Sequence, residues 1–392
     1  MKIPMSSPVL SEEDLQAVRE VLQTRHLALG PQLEAFEQRL ADYAGCRFGV
    51  GVNSGTSGLH LAVLAAGIGP GDLVITTPFS FIASANCLLY ERAIPVFVDI
   101  DPLTCNIDPA QVHQAAEDIH QGGAAARRWL PHTLPAEYKP YGDLKALLPV
   151  DAFGQPADYD ALQGTADAHE LVIIEDSCEA LGAEYKGKPA GSLGDVGVFA
   201  FYPNKQITTG EGGLLVTNRE KWAELYRSLR NQGRDVFDAW LNHTRLGYNY
   251  RLDEMSAALG LAQLARIEEL LQRRARAAGW YTERLSGLEG LRLPYLAPET
   301  TRMSWFVYVI QLPSREARDR MMAGLARREI PSRPYFTPIH LQPFYAGTFG
   351  YRRGDYPETE RAGDCCLALP FSGAMQESQV DRVARAVREF LR

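Results

Sequence analysis

No stretch of this sequence approaches the roughly 20 apolar residues that cross a bilayer, and the opening MKIPMSSPVL has no apolar run of signal-sequence length. A soluble, cytoplasmic protein with no membrane partner is the expectation. Basic charge is in deficit: 40 Lys and Arg stand against 48 Asp and Glu, a formal net charge of −8, which argues against a nucleic-acid-binding face. Cysteine is sparse, and Cys46, Cys87, Cys105, Cys178, Cys365 and Cys366 show no CxxC spacing. That excludes the usual zinc and redox signatures, so no metal is expected and the thiols read as free and buried. Neither a GxGxxG fingerprint nor a Walker loop occurs, so a nucleotide-binding dehydrogenase is not indicated.

What is present is ordinary globular composition, 46% hydrophobic and 22% charged. Ser11 followed by Glu12, Glu13 and Asp14 reads as a helix start, because a serine caps the first turn and acids suit its positive end. A second helix is expected from Gln32 to Tyr43, after the Gly30-Pro31 break. Short β-branched runs then recur: Phe48 to Val52, Leu73 to Thr76, Pro95 to Asp99, Leu147 to Val150, Leu171 to Asp176, Val196 to Phe201 and Gly213 to Val216. Helix-compatible stretches separate most of them. Such alternation predicts an α/β fold with a mostly parallel seven-stranded sheet flanked by helices, and ligands bind such sheets beyond the strands' carboxyl ends. Residues 122–144, with a Gly-Gly pair and three prolines, read as a surface insertion. From Asp253 to Tyr281 apolar residues recur at helical spacing, which predicts one long helix leading to a smaller α+β part. The expected division is 1–250 for the large domain and 251–392 for the linking helix and small C-terminal domain.

Three motifs carry chemistry. Asn53-Ser54-Gly55-Thr56-Ser57-Gly58 lies between an expected strand and helix, where free N–H groups and the helix dipole suit a phosphate; an ordinary tight turn reads the same way. Leu171 to Asp176 is an apolar strand ending in two acids, Glu175 and Asp176, at the ligand-bearing edge. Lys205 stands in a loop between apolar strands and is followed by the glycine-rich Thr209-Gly-Glu-Gly-Gly213. A lysine that condenses with an aldehyde must attack as the neutral amine, which partial desolvation favours. Each motif has a bland alternative; their order, phosphate loop, acid, lysine and glycine-rich turn, is more specific.

The blocks NSGTSGLHLA, IEDSCEALGAEYKG, GVFAFYPNKQITTGEGG and GYNYRLDEMSAALG resemble the DegT/StrS sugar aminotransferases, pyridoxal-phosphate (PLP) enzymes of the aspartate-aminotransferase fold (fold type I). The resemblance runs from Gly30-Pro31 to the last helix. It implies that Lys205 holds the cofactor covalently and moves the proton, and that Asp176 pairs with the pyridine nitrogen. It further implies that Gly55, Thr56 and Ser57 hold the phosphate and that Phe81, in PFSFIAS, stacks on the ring. Glu179 would lie near the ring. Asn249 would reach the phosphate of a neighbouring subunit, making a homodimer with a shared active site. Arg251, Tyr335 and His340 would contact substrate, whereas His60 would serve packing. Three positions depart from the common pattern: Ala200 replaces a serine, Glu179 a histidine or glutamine, and Asp151 a histidine. The implied activity is transfer of an amino group from glutamate or glutamine to a nucleotide-linked keto-sugar, feeding polysaccharide or glycan synthesis. Alternatives within the fold are a sugar dehydratase, against which Lys205 argues, an enzyme that forms aromatic amines, and a regulator without turnover.

Overall fold

The computed structural model describes residues 3–235 and 242–391. Seven strands, β1 Phe48–Val52, β2 Leu73–Thr76, β3 Ile94–Phe97, β4 Leu144–Leu148, β5 Val172–Asp176, β6 Val196–Ala200 and β7 Gly213–Thr217, form one sheet. Its order is β1-β7-β6-β5-β4-β2-β3. Only β7 runs against the rest, paired antiparallel with β1 and β6. Side chains alternate across a strand, and the two faces fill different cores. Ile75, Leu147 and Ile173 join one cluster, while Val74, Leu148 and Ile174 join the other. A strand covered on both sides must be apolar throughout, which is why these segments read as unbroken Val/Ile/Leu runs.

Helices α1 Glu12–Thr24, α2 Pro31–Tyr43, α3 Gly55–Ala65, α4 Ala83–Leu89, α5 Pro109–Gln121, α6 Gly123–Arg127, α7 Tyr159–His169 and α8 Glu220–Arg230 accompany the sheet. Ser11 caps α1 in a full capping box with Asp14. Helix α2 has no side-chain cap of its own. Instead the buried Glu254 carboxylate accepts from the N–H groups of Gly30 (3.0 Å), Gln32 (2.9 Å) and Leu33 (2.9 Å), satisfying the orphan donors of that end.

The helix expected from Asp253 to Tyr281 is two, α9 Glu254–Ala265 and α10 Ile267–Leu285. Arg266 leaves helical geometry between them (φ −112°, ψ 15°), and its side chain ties the bend to Glu269 and Asp14. Residues 122–144 are less of a surface appendage than expected: α6 lies there, Trp129 and Leu130 pack against the core, and the Trp129 indole donates to Asp118 at 2.7 Å. β4 also begins at Leu144, three residues before the expected start. Towards the C-terminus, β8 Tyr308–Gln311, β9 Arg333–Pro334 and β10 Cys366–Leu369 form an antiparallel sheet in the order β8-β10-β9. Helices α10, α11 Arg315–Ala326 and α12 Glu377–Leu391 contribute with it to a separate apolar cluster, which also takes in Ile3. Among the described residues no helix is long and apolar enough to cross a membrane.

Candidate active site

The carboxyl ends of β1, β4, β5 and β6 and the start of β7 meet at one edge of the sheet, around a cavity of about 430 Å³. Gly55, Thr56, Phe81, Asp176, Glu179, Lys205 and Tyr335 all line it, so residues up to 280 positions apart in sequence, 55 to 335, share one space. The loop after β1 enters α3 with Ser54 as N-cap, its hydroxyl accepting from Ser57 N–H at 3.1 Å. The first turn of a helix leaves N–H groups without an intrahelical partner, and here that turn borders the cavity. The fit is tight behind it: a Cβ on Gly213 would come within 2.6 Å of the Ser54 backbone, and one on Gly55 within 2.8 Å of the Ala200 Cβ.

Asp176 ends β5, and its carboxylate accepts from Ser84 Oγ at 2.6 Å and from Cys178 N–H at 3.2 Å. Ser84 in turn lies 2.9 Å from Ser80 Oγ. The Lys205 ammonium sits 4.0 Å from the centre of the Phe306 ring and 4.0 Å from Glu179 Oε1. Its loop is stapled by the buried Arg274, whose guanidinium donates to the carbonyls of Asn204 (3.0 Å), Lys205 and Phe306 (3.1 Å). Phe81 keeps 64% of its surface exposed at the wall, an aromatic face left open to whatever fills the space.

Other expected residues fall elsewhere. Ser57 does not line the cavity: its hydroxyl donates to Asn53 Oδ1 at 2.7 Å and lies 2.9 Å from Ser54 Oγ, so the local turn has claimed it. His340 does not line the cavity either. It is fully buried, 3.1 Å from Glu360 Oε1 and edge-on to Tyr356, a packing role away from the cavity. Arg251 donates to Asn231 Oδ1 at 3.1 Å, and Asn249 is exposed; neither reaches the cavity of its own chain. His60 is buried between Glu91 (2.8 Å) and the Tyr250 hydroxyl (3.1 Å). Ser84, Arg274 and Phe306 were missed. The spacing of Ser80 and Ser84 within PFSFIAS is the one sequence sign of the first.

Burial pushes the Glu179 carboxyl up to about 7, against the opposing pull of Lys205 and of the Phe153 N–H, which donates to it at 2.8 Å. A carboxyl that binds its proton more tightly folded than unfolded contributes most stability when protonated, and loses that contribution as pH rises towards 7. Glu179→Gln stays neutral and keeps the acceptor for Phe153. In cofactor-free protein it is expected to match the parent in the ordinary carboxylate range and exceed it by roughly 2–3 kcal/mol above pH 7. Urea unfolding across that range checks this; a gap that stays constant with pH overturns it.

A mostly parallel sheet that brings an acid, a lysine, an open aromatic face and a helix N-terminus around one cavity is the arrangement of a PLP-dependent transferase of the aspartate-aminotransferase type. The residues fit that cofactor: a carboxylate for the ring nitrogen, a lysine for the aldehyde and a helix start for the phosphate. Residues 8–388 match the DegT/DnrJ/EryC1/StrS aminotransferase family, and the chain belongs to it. GDP-perosamine synthase of Caulobacter vibrioides is 37% identical over 395 residues, covering 100% of this chain and 98% of that protein. The dTDP-3-amino-3,4,6-trideoxy-alpha-D-glucose transaminase of Streptomyces venezuelae is 36% identical, covering 97% of this chain and 93% of its own. Among solved structures, the PLP form of Spr1654 from Streptococcus pneumoniae superposes with a TM-score of 0.87 at 26% identity, over 100% of this chain and 99% of that one.

Proposed function

We propose that this aminotransferase moves an amino group from glutamate or glutamine to a nucleotide-linked keto-sugar, in the cytoplasm, for polysaccharide or glycan synthesis. The observation that carries the chemistry is the meeting of Lys205 and Asp176 in one cavity with the open face of Phe81. The sugar class rests on relatives named for a GDP-linked and a dTDP-linked amino sugar.

PLP, when bound, supplies an aldehyde that condenses with amines and a pyridinium that draws electrons from the reacting carbon. The chain supplies the rest. Asp176, held by Ser84, would face the ring nitrogen and favour a proton there. Lys205 Nζ takes the proton from the donor's α-carbon and later returns one to the product side. Glu179 faces that amine from 4.0 Å. Phe81 and the wall at Phe306 and Tyr335 confine the reacting groups and exclude water.

Lys205 is the one cation among the described lining residues, whereas a phosphate and a donor carboxylate are both anions. Asn249 and Arg251 lie on the segment beside the α3 loop, where Asn53 N–H donates to Tyr250 O at 2.9 Å. In our reading a second copy brings these side chains to the site, so that the working unit is a homodimer. We further infer that residues 1–250 form the PLP-holding part and residues 251–392 a smaller one.

The test is a panel of nucleotide keto-sugars mixed with PLP-loaded protein and glutamate. One amino sugar and one 2-oxoglutarate per turnover are expected. Consumption of a keto-sugar without 2-oxoglutarate, or with neither glutamate nor glutamine required, overturns the reading.

A further inference from the structure

Behind the cavity wall lies a polar cluster that the reaction as described does not use. Ser177 Oγ is 2.8 Å from Asp151 Oδ2 and 2.7 Å from Glu175 Oε1, and all three residues are buried. A hydroxyl has one proton and can donate it once. Between two ionised carboxylates, one of these contacts would be oxygen against oxygen with nothing shared, among side chains that are closed to bulk solvent. One carboxyl therefore carries a proton.

The partners of each oxygen say which. Glu175 is surrounded by donors: the N–H groups of Leu193 (2.9 Å) and Gly194 (3.2 Å) point at Oε2 and that of Gly191 at Oε1. This is a setting for an anion. Asp151 accepts on Oδ1 from Ala157 N–H (3.1 Å) and the Tyr159 hydroxyl (3.0 Å), and its Oδ2 meets only Ser177. The direction follows: Asp151 donates to Ser177, and Ser177 donates to Glu175. Burial and the charge of Glu175 both push the Asp151 carboxyl up, in the same sense.

The cluster borders the catalytic acid on both sides. Glu175 and Ser177 flank Asp176 in sequence and turn away from the cavity while Asp176 lines it. Asp151 N–H donates to Asp176 O at 3.1 Å, and Asp176 N–H donates to Pro149 O at 3.0 Å. We propose that Asp151 is a positioning residue that keeps its proton at neutral pH and, through Ser177 and Glu175, fixes the backbone on either side of Asp176. With its proton in place, Asp151 adds no third negative charge to Glu175 and Asp176 on β5; the other titratable neighbours are Tyr159 on α7, which faces Asp151, and the Cys46 thiol, which faces Glu175.

The effect on the ring rests on the PLP reading; the location of the proton does not, and the experiment separates the two. Infrared spectra of cofactor-free protein, taken well above the pH at which Glu179 ionises, are expected to show a protonated-carboxyl carbonyl band that is lost in Asp151→Asn. Asparagine imitates the protonated acid, with an acceptor for Tyr159 and a donor for Ser177. Asp151→Asn is therefore expected to melt at or above the parent temperature, whereas Glu175→Gln, which turns an amide donor towards backbone N–H groups, melts several degrees lower. With PLP added, Asp151→Ala is expected to bind it roughly tenfold more weakly, the scale of one lost buried hydrogen bond, and to shift the pH midpoint of its absorbance. Asp151→Asn restores both. A carbonyl band that survives in Asp151→Asn, or a Glu175→Gln that melts like the parent, overturns the proton assignment. An asparagine variant as impaired towards PLP as the alanine one overturns the positioning role. Parent protein that binds no PLP sinks the proposed function and leaves the infrared and melting results to decide the proton.

Discussion

Lys205→Ala is expected to abolish covalent capture of PLP and to lower turnover by at least about 10⁴-fold, since in the proposed scheme the residue serves both as the amine that holds the cofactor and as the base that moves the proton. The geometry supports both tasks. Nζ faces the cavity, 4.0 Å from the Phe306 ring and 4.0 Å from the Glu179 carboxylate, and the loop that carries it is tied by Arg274, through the carbonyls of Asn204 and Lys205, to that of Phe306. The staple acts on the main chain, so truncating the lysine side chain leaves it in place and the variant should fold. Borohydride treatment of PLP-loaded parent protein is expected to give a permanent mass increase of one cofactor, mapped by proteolysis to position 205. In the alanine variant the increase is absent, while PLP still binds reversibly through the phosphate and ring contacts. A mass adduct of the same size at another lysine, or turnover within tenfold of the parent, would remove Lys205 from the scheme.

How much of this was readable beforehand depends on how far apart the partners lie in sequence. The strand runs were legible because strands buried on both faces must be apolar throughout, and the sheet's two clusters show that burial residue by residue. Ser11 announced a helix start because a cap acts within four residues. The cap of α2 could not be read the same way: its carboxylate is Glu254, more than 220 positions on. Distance in the chain also hides the packing partners of the expected site residues. The block around His340 looks like a loop that meets substrate, yet the imidazole's partner is Glu360, 20 residues later, and only the packed fold shows that the pair is sealed. The resemblance implies a phosphate role for Ser57, whereas the short path to Asn53 Oδ1 uses its hydroxyl proton. Asp151 was visible only as a departure from a pattern. Its role depends on Ser177 and Glu175, 26 and 24 positions away, and on counting protons among three side chains that no spacing rule connects.

Asp176→Asn is expected to keep the covalent attachment at Lys205 and lose turnover, by about 10²–10³-fold, the usual consequence of removing one preorganised electrostatic stabiliser from a closed site. The side chains are nearly isosteric, so the asparagine can still face Ser84 at 2.6 Å and Cys178 N–H at 3.2 Å. What changes is charge. A carboxylate beside a pyridine nitrogen holds the proton there, and a neutral amide does not; without it the ring draws electrons poorly and the proton on the donor's α-carbon becomes harder to remove. The loss should therefore fall on kcat and on the primary deuterium isotope effect, which rises as proton removal becomes limiting, rather than on KM for the amino donor. The borohydride mass increase is expected to persist, which separates this variant from Lys205→Ala in one measurement. Ser84→Ala, removing a single hydrogen bond to the same carboxylate, should show the same signature at smaller size, about tenfold. If Asp176→Asn instead raised KM with kcat unchanged, the acid would be a binding contact only, and some other group would have to protonate the ring.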